Sequence, residues 1–169
     1  MGLDLKSNLL LPEGPIALKS RDEVISSLLF YLNELNIKVL SIELRDIFIE
    51  VHEIFSVKMN NFIKPIESAV SLIKKLSKYE VKLSLVTSDS KRNADLVLNK
   101  LNLNSYFDYV LGGVADLNKK STGIPASYVC QKLMLEKNNV IAIGDAEMDF
   151  QMSENGGLKD CILVASGQT

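Results

Sequence analysis

The chain has 169 residues, of which 47% are hydrophobic and 24% charged, with a formal charge of −2 at pH 7. That length suits one domain, or one domain with a small subdomain, and is enough to bury a real core. The near-neutral balance carries no basic stripe, which argues against a nucleic-acid partner. No apolar run approaches the roughly 20 residues of a membrane span, and no basic region followed by an apolar one suggests a secretory signal. Cys130 and Cys161 lie far apart without C-x-x-C spacing. They read as small buried hydrophobes, and a reducing cytoplasm is the expected compartment.

From Arg21 the pattern is helical, with Ile25, Leu28, Leu29, Leu32 and Leu35 on one apolar face. Ser41 is placed to cap a second helix, in which Leu44, Ile47, Phe48, Val51, Ile54 and Phe55 follow three-and-four spacing. Two amphipathic helices with no strand between them suggest a helical insertion. Pro65 suits the first turn of a third helix that carries Val70, Ile73 and Leu76 inward.

From Val81 the texture changes. Lys82-Leu-Ser-Leu-Val-Thr87 reads as a strand ending in the polar turn Thr87-Ser-Asp-Ser90. A helix follows with Ala94, Leu96, Val97 and Leu101 inward, then a short strand at Tyr109-Val-Leu111 and the Gly112-Gly113 turn. After a polar loop come a helix near Ala126 to Leu135, a strand from Val140, a helix from about Met148 stopped by Gly156-Gly157, and a last strand at Cys161-Ile-Leu-Val-Ala165. Alternating strand and helix predicts an α/β fold with a parallel sheet.

The run Val140-Ile-Ala-Ile-Gly-Asp-Ala-Glu-Met-Asp149 is the most informative stretch. A short apolar run suits a buried parallel strand, and open α/β sheets bind ligands at the carboxyl ends of their strands. Asp145 would leave the sheet there, with Asp149 about one helical turn on and on the same side. Two such carboxylates suit a hard cation such as Mg²⁺, although a turn followed by a helix cap would look similar.

Leu85-Val-Thr-Ser88, a later loop lysine and Gly144-Asp-Ala-Glu-Met-Asp149 arrive in an ordered set. With Leu103-Asn-Ser-Tyr-Phe-Asp-Tyr-Val-Leu-Gly-Gly113 and Ile162-Leu-Val-Ala-Ser-Gly-Gln168, this text resembles the haloacid dehalogenase-like (HAD) hydrolases over about three-fifths of the chain. Most members are Mg²⁺-dependent phosphatases acting through an aspartyl-phosphate. The resemblance implies a Rossmann-like parallel sheet with a small helical cap: a core of residues 1–20 and 65–169, and a cap at 21–64. It implies a strand order of 3-2-1-4-5, with Thr87 and Asp145 at one crevice, the cap helices beside it, and His52 outside the chemistry. The substrate would be a small phosphorylated molecule, bound through Thr87 and Ser88. Lys120, 25 residues before Asp145, would neutralise phosphoryl charge, with Lys119 as runner-up for that role or as a substrate contact. Ile124-Pro125 stands where many relatives carry Lys-Pro. Asp145 would hold the metal and Asp149 would ligate or orient it.

One expected piece departs from the pattern. Family enzymes begin with an apolar strand ending in Asp-x-Asp: a nucleophile and metal ligand, then an acid/base. No Asp-x-Asp precedes Thr87. Leu3-Asp-Leu-Lys-Ser-Asn-Leu9 keeps a nucleophile as Asp4 but puts Lys6 in the acid/base slot, whereas Pro15-Ile-Ala-Leu-Lys-Ser20 supplies a better strand but presents Lys19 and Arg21 there. A cation beside the metal would cost about 4 kcal/mol per unit-charge pair at 4 Å and an effective dielectric of 20. The expectation is therefore a phosphohydrolase of weak metal binding and low turnover. The alternatives are a catalytically silent binding or regulatory module, or a piece of a longer protein whose first motif lies elsewhere.

Overall fold

The computed structural model describes residues 3–4, 9–10, 21–113 and 120–165. The chain divides into two compact units, 1–63 and 64–169.

In the first unit, β1 (Leu3–Asp4) pairs antiparallel with β2 (Leu9–Leu10). Two helices follow, α1 (Arg21–Glu34) and α2 (Ser41–Phe62). Val24, Ile25 and Leu44 are buried, Asp22 pairs with Arg45 at 2.8 Å, and the Arg21 guanidinium lies over Phe48. The expected cap at Ser41 is displaced by one residue. Ser41 is the first helical residue, and the Leu40 N–H donates to the Glu43 carboxylate at 2.7 Å, the returning half of a capping box. The inward face of α2 also differs from expectation: Leu44, Phe48, His52 and Ser56 face in, while Ile47, Val51, Ile54 and Phe55 are exposed. A four-residue step draws one narrow stripe, and a single partner helix covers no more than that.

The second unit opens with α3 (Glu67–Leu76), whose N-cap is Ile66. Pro65 therefore lies just outside the helix, where its missing N–H costs nothing, and Val70, Ile73 and Leu76 form its half-buried face. β3 (Ser84–Val86), α4 (Lys91–Lys100) and β4 (Tyr109–Leu111) make one strand–helix–strand crossover; Ser84 pairs with Tyr109 and Val86 with Leu111, in parallel. Ala94, Leu98 and Leu103 are buried against this pair. A 3₁₀ turn (Lys120–Thr122) leads into α5 (Ile124–Leu133), which buries Pro125, Ala126, Val129 and Cys130. β5 (Ile141–Gly144), α6 (Glu147–Gly156) and β6 (Asp160–Leu163) form a second crossover, with Ile141 opposite Asp160 and Gly144 opposite Leu163.

The fold is thus α/β, built from parallel strands joined through helices. Of the expected order 3-2-1-4-5, the outer neighbours are present as β3–β4 and β5–β6. The segment expected between them, Pro15 to Ser20, lies outside the described residues, as does Lys119. Leu3–Asp4 belongs to neither parallel pair, because its partner runs antiparallel. Among the described residues no helix is long and apolar enough to cross a membrane.

Just before β3 and β4, the Asp108 carboxylate accepts from Lys82 Nζ at 2.8 Å and from the Leu83 N–H at 2.9 Å. The lysine first, then the backbone donor, hold this carboxyl below its ordinary range. A depressed folded value means the stabilisation is present above the unfolded value near ~3.9 and is lost as pH falls through the folded one. Asp108→Asn should therefore destabilise the fold slightly at pH 7, by no more than about 1 kcal/mol for so exposed a pair, read as a small fall in melting temperature. The gap should close below the folded value, and an equal gap at pH 7 and pH 2 would contradict this account.

Candidate active site

Thr87 ends the first parallel pair. Its N–H donates to the Leu111 carbonyl at 3.0 Å, which carries the ladder one residue past β3. Its Oγ1 accepts the Asp89 N–H at 3.1 Å. Ser90 is the N-cap of α4, its hydroxyl accepting from the Asn93 N–H at 3.2 Å. The turn Thr87–Ser90 therefore stands at a helix N-terminus, where unpaired N–H groups and the helix dipole favour an anion.

Asp149 dominates the second group. It is buried, at 6% exposure, yet each of its oxygens is engaged. Oδ1 accepts from Lys120 Nζ at 2.7 Å, while Oδ2 accepts the N–H groups of Asp145 and Ala146, both at 3.2 Å. Asp149 stands at the third position of α6, and Ala146, the N-cap, has only a methyl to offer. The carboxylate thus reaches back to cap its own helix from inside the first turn. Of the two readings open in the sequence, the helix cap is realised at Asp149, and the same carboxylate also accepts from Lys120.

Lys120 reaches this place because of the packing behind it. Gly123, at φ 72°, turns the chain from the 3₁₀ turn into α5. Its back lies so close to Asn155 and Gly156 that a Cβ would overlap their backbone. Asn155 Nδ2 donates to the Ser121 carbonyl at 2.7 Å, and Gly156 packs on Ala126. Gly144 is constrained in the same manner, since a Cβ there would fall on the Asp149 side chain.

The structure brings together Lys120, Asp149 and the backbone of Asp145. Asp145 itself is half-buried at the carboxyl end of β5. Thr87 and Ser88 occupy the turn after β3, and Asp4 lies in the first unit within β1. His52 hydrogen-bonds within α2, to Ser56 at 3.4 Å. Sequence reasoning missed Asp89 and Asn93, which pair at 2.8 Å across the start of α4. Their four-residue spacing at a helix start was the available signal. Burial pushes the thiols of Cys130 and Cys161 upward, which disfavours the nucleophilic thiolate at both.

The donor set is oxygen-rich and acidic, which fits Mg²⁺ in kind. Among the described residues, however, no three carboxylate, histidine or cysteine side chains cluster. Asp149 already serves three donors, so the fit is that of one ligand, Asp145, and one carboxylate that orients its surroundings.

A sequence profile described as haloacid dehalogenase-like hydrolase matches residues 19–163, and the chain belongs to that family. It is 25% identical over 103 residues to a phosphoglycolate phosphatase of Aquifex aeolicus, covering 61% of this chain and 48% of that one. The chain thus spans about half the length of that curated relative. In structure it is similar to a Thermotoga maritima protein assigned as a β-phosphoglucomutase, with a TM-score of 0.62, 22% identity, and 82% and 63% of the two chains covered. A hydrolase from Streptococcus pneumoniae matches with a TM-score of 0.53 and 22% identity, over 59% of this chain and 51% of that one. These two likenesses show the fold.

Two substitutions probe the site's construction. Gly144→Ala forces the new methyl against Asp149 and should cost about 1–3 kcal/mol in chemical denaturation. Lys120→Met leaves the buried carboxylate without its counter-charge and should cost about 3 kcal/mol. A loss below about 1 kcal/mol for Lys120→Met would mean that the two N–H donors suffice for Asp149.

Proposed function

We propose that this chain forms a phosphohydrolase site for a small phosphorylated molecule, with Mg²⁺ as cofactor and low turnover. The observation that carries this reading is the part-buried Lys120–Asp149 pair beside Asp145 at the carboxyl end of a parallel strand. An ammonium and a cation-seeking carboxylate held at that edge suit a transferring phosphoryl group, whose charge must be neutralised as it moves.

In this reading residues 1–20 and 65–169 make the hydrolase core, and 21–64 a helical cap insertion. The hydroxyl of Thr87 and the N-terminus of α4 receive phosphate oxygens, with Ser88 beside them. Lys120 places its positive charge against the phosphoryl group, and Asp149 fixes where that charge stands. Asp145 would hold Mg²⁺, with Asp149 orienting its surroundings; the ion, when bound, neutralises phosphate charge and aligns the group for displacement. If turnover exists, Asp4 is the only carboxylate that the degenerate first motif offers as a nucleophile. Its carboxylate oxygen would attack phosphorus as the ester P–O bond breaks, the departing alcohol taking up a proton, and water would then release phosphate from the acyl-phosphate. Lys6, in the acid/base slot, can give a proton as an ammonium but cannot take one from water in that form, which supports slow turnover.

A catalytically silent phosphate-binding relative is the second reading. It is favoured by the engagement of both Asp149 oxygens, which leaves few acidic groups for a metal.

Mg²⁺-dependent phosphate release from a broad panel of phosphometabolites tests the choice, using the wild type, Asp4→Asn and Asp145→Asn. Slow release abolished in both variants is the expected result. Release lost only in Asp145→Asn would remove Asp4 as nucleophile. Phosphate binding without release from any substrate would favour the silent module.

A further inference from the structure

We propose that the Asp89–Asn93 pair is a positioning device for Thr87, holding its hydroxyl so that the single proton is left for a phosphoryl oxygen. This rests on the phosphohydrolase reading above.

A threonine hydroxyl carries one proton and two acceptor lone pairs. In this turn Thr87 Oγ1 accepts the Asp89 N–H at 3.1 Å. That bond uses a lone pair and anchors the oxygen, so the hydroxyl proton remains available as a donor. The anchor works only if the Asp89 backbone stays in place, and three further bonds keep it there. Asp89 Oδ1 accepts the Ser90 N–H at 2.7 Å and Asn93 Nδ2 at 2.8 Å, while the Asp89 carbonyl accepts the Gly113 N–H at 2.6 Å. Asp89 thereby ties the turn to α4 on one side and to the end of β4 on the other.

Two features point past a plain helix start. An exposed carboxylate two residues from a phosphate seat opposes the anion electrostatically, so its presence asks for another use. Asn93 supplies the second. With Nδ2 turned to Asp89, its Oδ1 is buried and has no hydrogen-bond partner among the described residues. Turning the amide over would set two oxygens against each other. Holding Asp89 thus leaves Asn93 Oδ1 without a protein partner among the described residues, and such an atom in a native structure asks for a reason.

The test measures binding of inorganic phosphate in the presence of Mg²⁺, by calorimetry or phosphorus NMR, beside melting temperatures. Asp89→Ala should bind phosphate about tenfold more weakly than Asp89→Asn, since both lose the repelling charge and only the alanine loses the side-chain bonds that hold the turn. Asp89→Asn should bind as well as the wild type or better, because an amide oxygen accepts the same two donors without the repelling charge. Asn93→Leu should lose affinity like Asp89→Ala while keeping its melting temperature, since it removes the unsatisfied oxygen. In a Thr87→Ala background, Asp89→Ala should have no further effect. Equal affinity in Asp89→Ala and Asp89→Asn, full additivity with Thr87→Ala, or parallel loss of stability and affinity in Asn93→Leu would each overturn the positioning role while leaving the phosphohydrolase reading intact. A wild type without phosphate affinity would overturn both.

Discussion

The buried carboxylate of Asp149 is the constraint on which the site depends. An ionised group at 6% exposure must be compensated by partners, or its desolvation cost would fall on folding itself. Here one oxygen takes the Lys120 ammonium, and the other takes two backbone N–H groups at the start of its own helix. The N-terminal helix dipole adds to this compensation. Because those donors come from the end of β5, the start of α6 and the turn before α5, one side chain sets the relative placement of three segments. The backbone that carries Asp145 is fixed by the same bonds.

Close packing makes that arrangement possible. A lysine delivers its charge to a fixed point only if its stem starts from a rigid place. The turn bearing Lys120 is pressed against the far end of α6 through Gly123, Ala126 and Gly156, and is pinned by the Asn155 bond to the Ser121 carbonyl. Small residues allow backbones to approach where larger ones would hold them apart, and interiors packed to crystal density transmit such placement. Gly144 plays the complementary part on the strand side, leaving room for the Asp149 side chain. The placement of Lys120 and Asp149 is thereby tied to positions that contribute no reactive group of their own.

The first unit follows a different logic. Its two helices bury Val24, Ile25 and Leu44 and leave much apolar surface on α2 uncovered. A helix pair closes a single seam, so apolar residues beyond that seam remain at the surface however regular their spacing. Periodicity indicated that α1 and α2 are helices. It did not tell which of the several apolar rows on α2 faces α1.

What the sequence by itself determined is local or depends on pattern: the alternation of strand and helix after Val81, the Gly157 helix stop, the strand ends at Thr87 and Gly144, and the carboxylates that follow them. Short apolar runs, turn residues and helical spacing act over a few residues, so they are legible in one chain. The Lys120–Asp149 pair spans 29 residues, and the Asp149 bonds to the turn depend on how α6 leaves the sheet. Spacing favoured Lys120 over Lys119, but its partner, Asp149, follows only from the packing of the 3₁₀ turn on α6. Likewise Asp89 and Asn93 look like ordinary polar residues near a helix start, and their joint hold on Thr87 appears only when the turn closes on Gly113. Tertiary structure decided these points because a side chain's role follows from which donors reach it, and those donors come from segments distant in sequence.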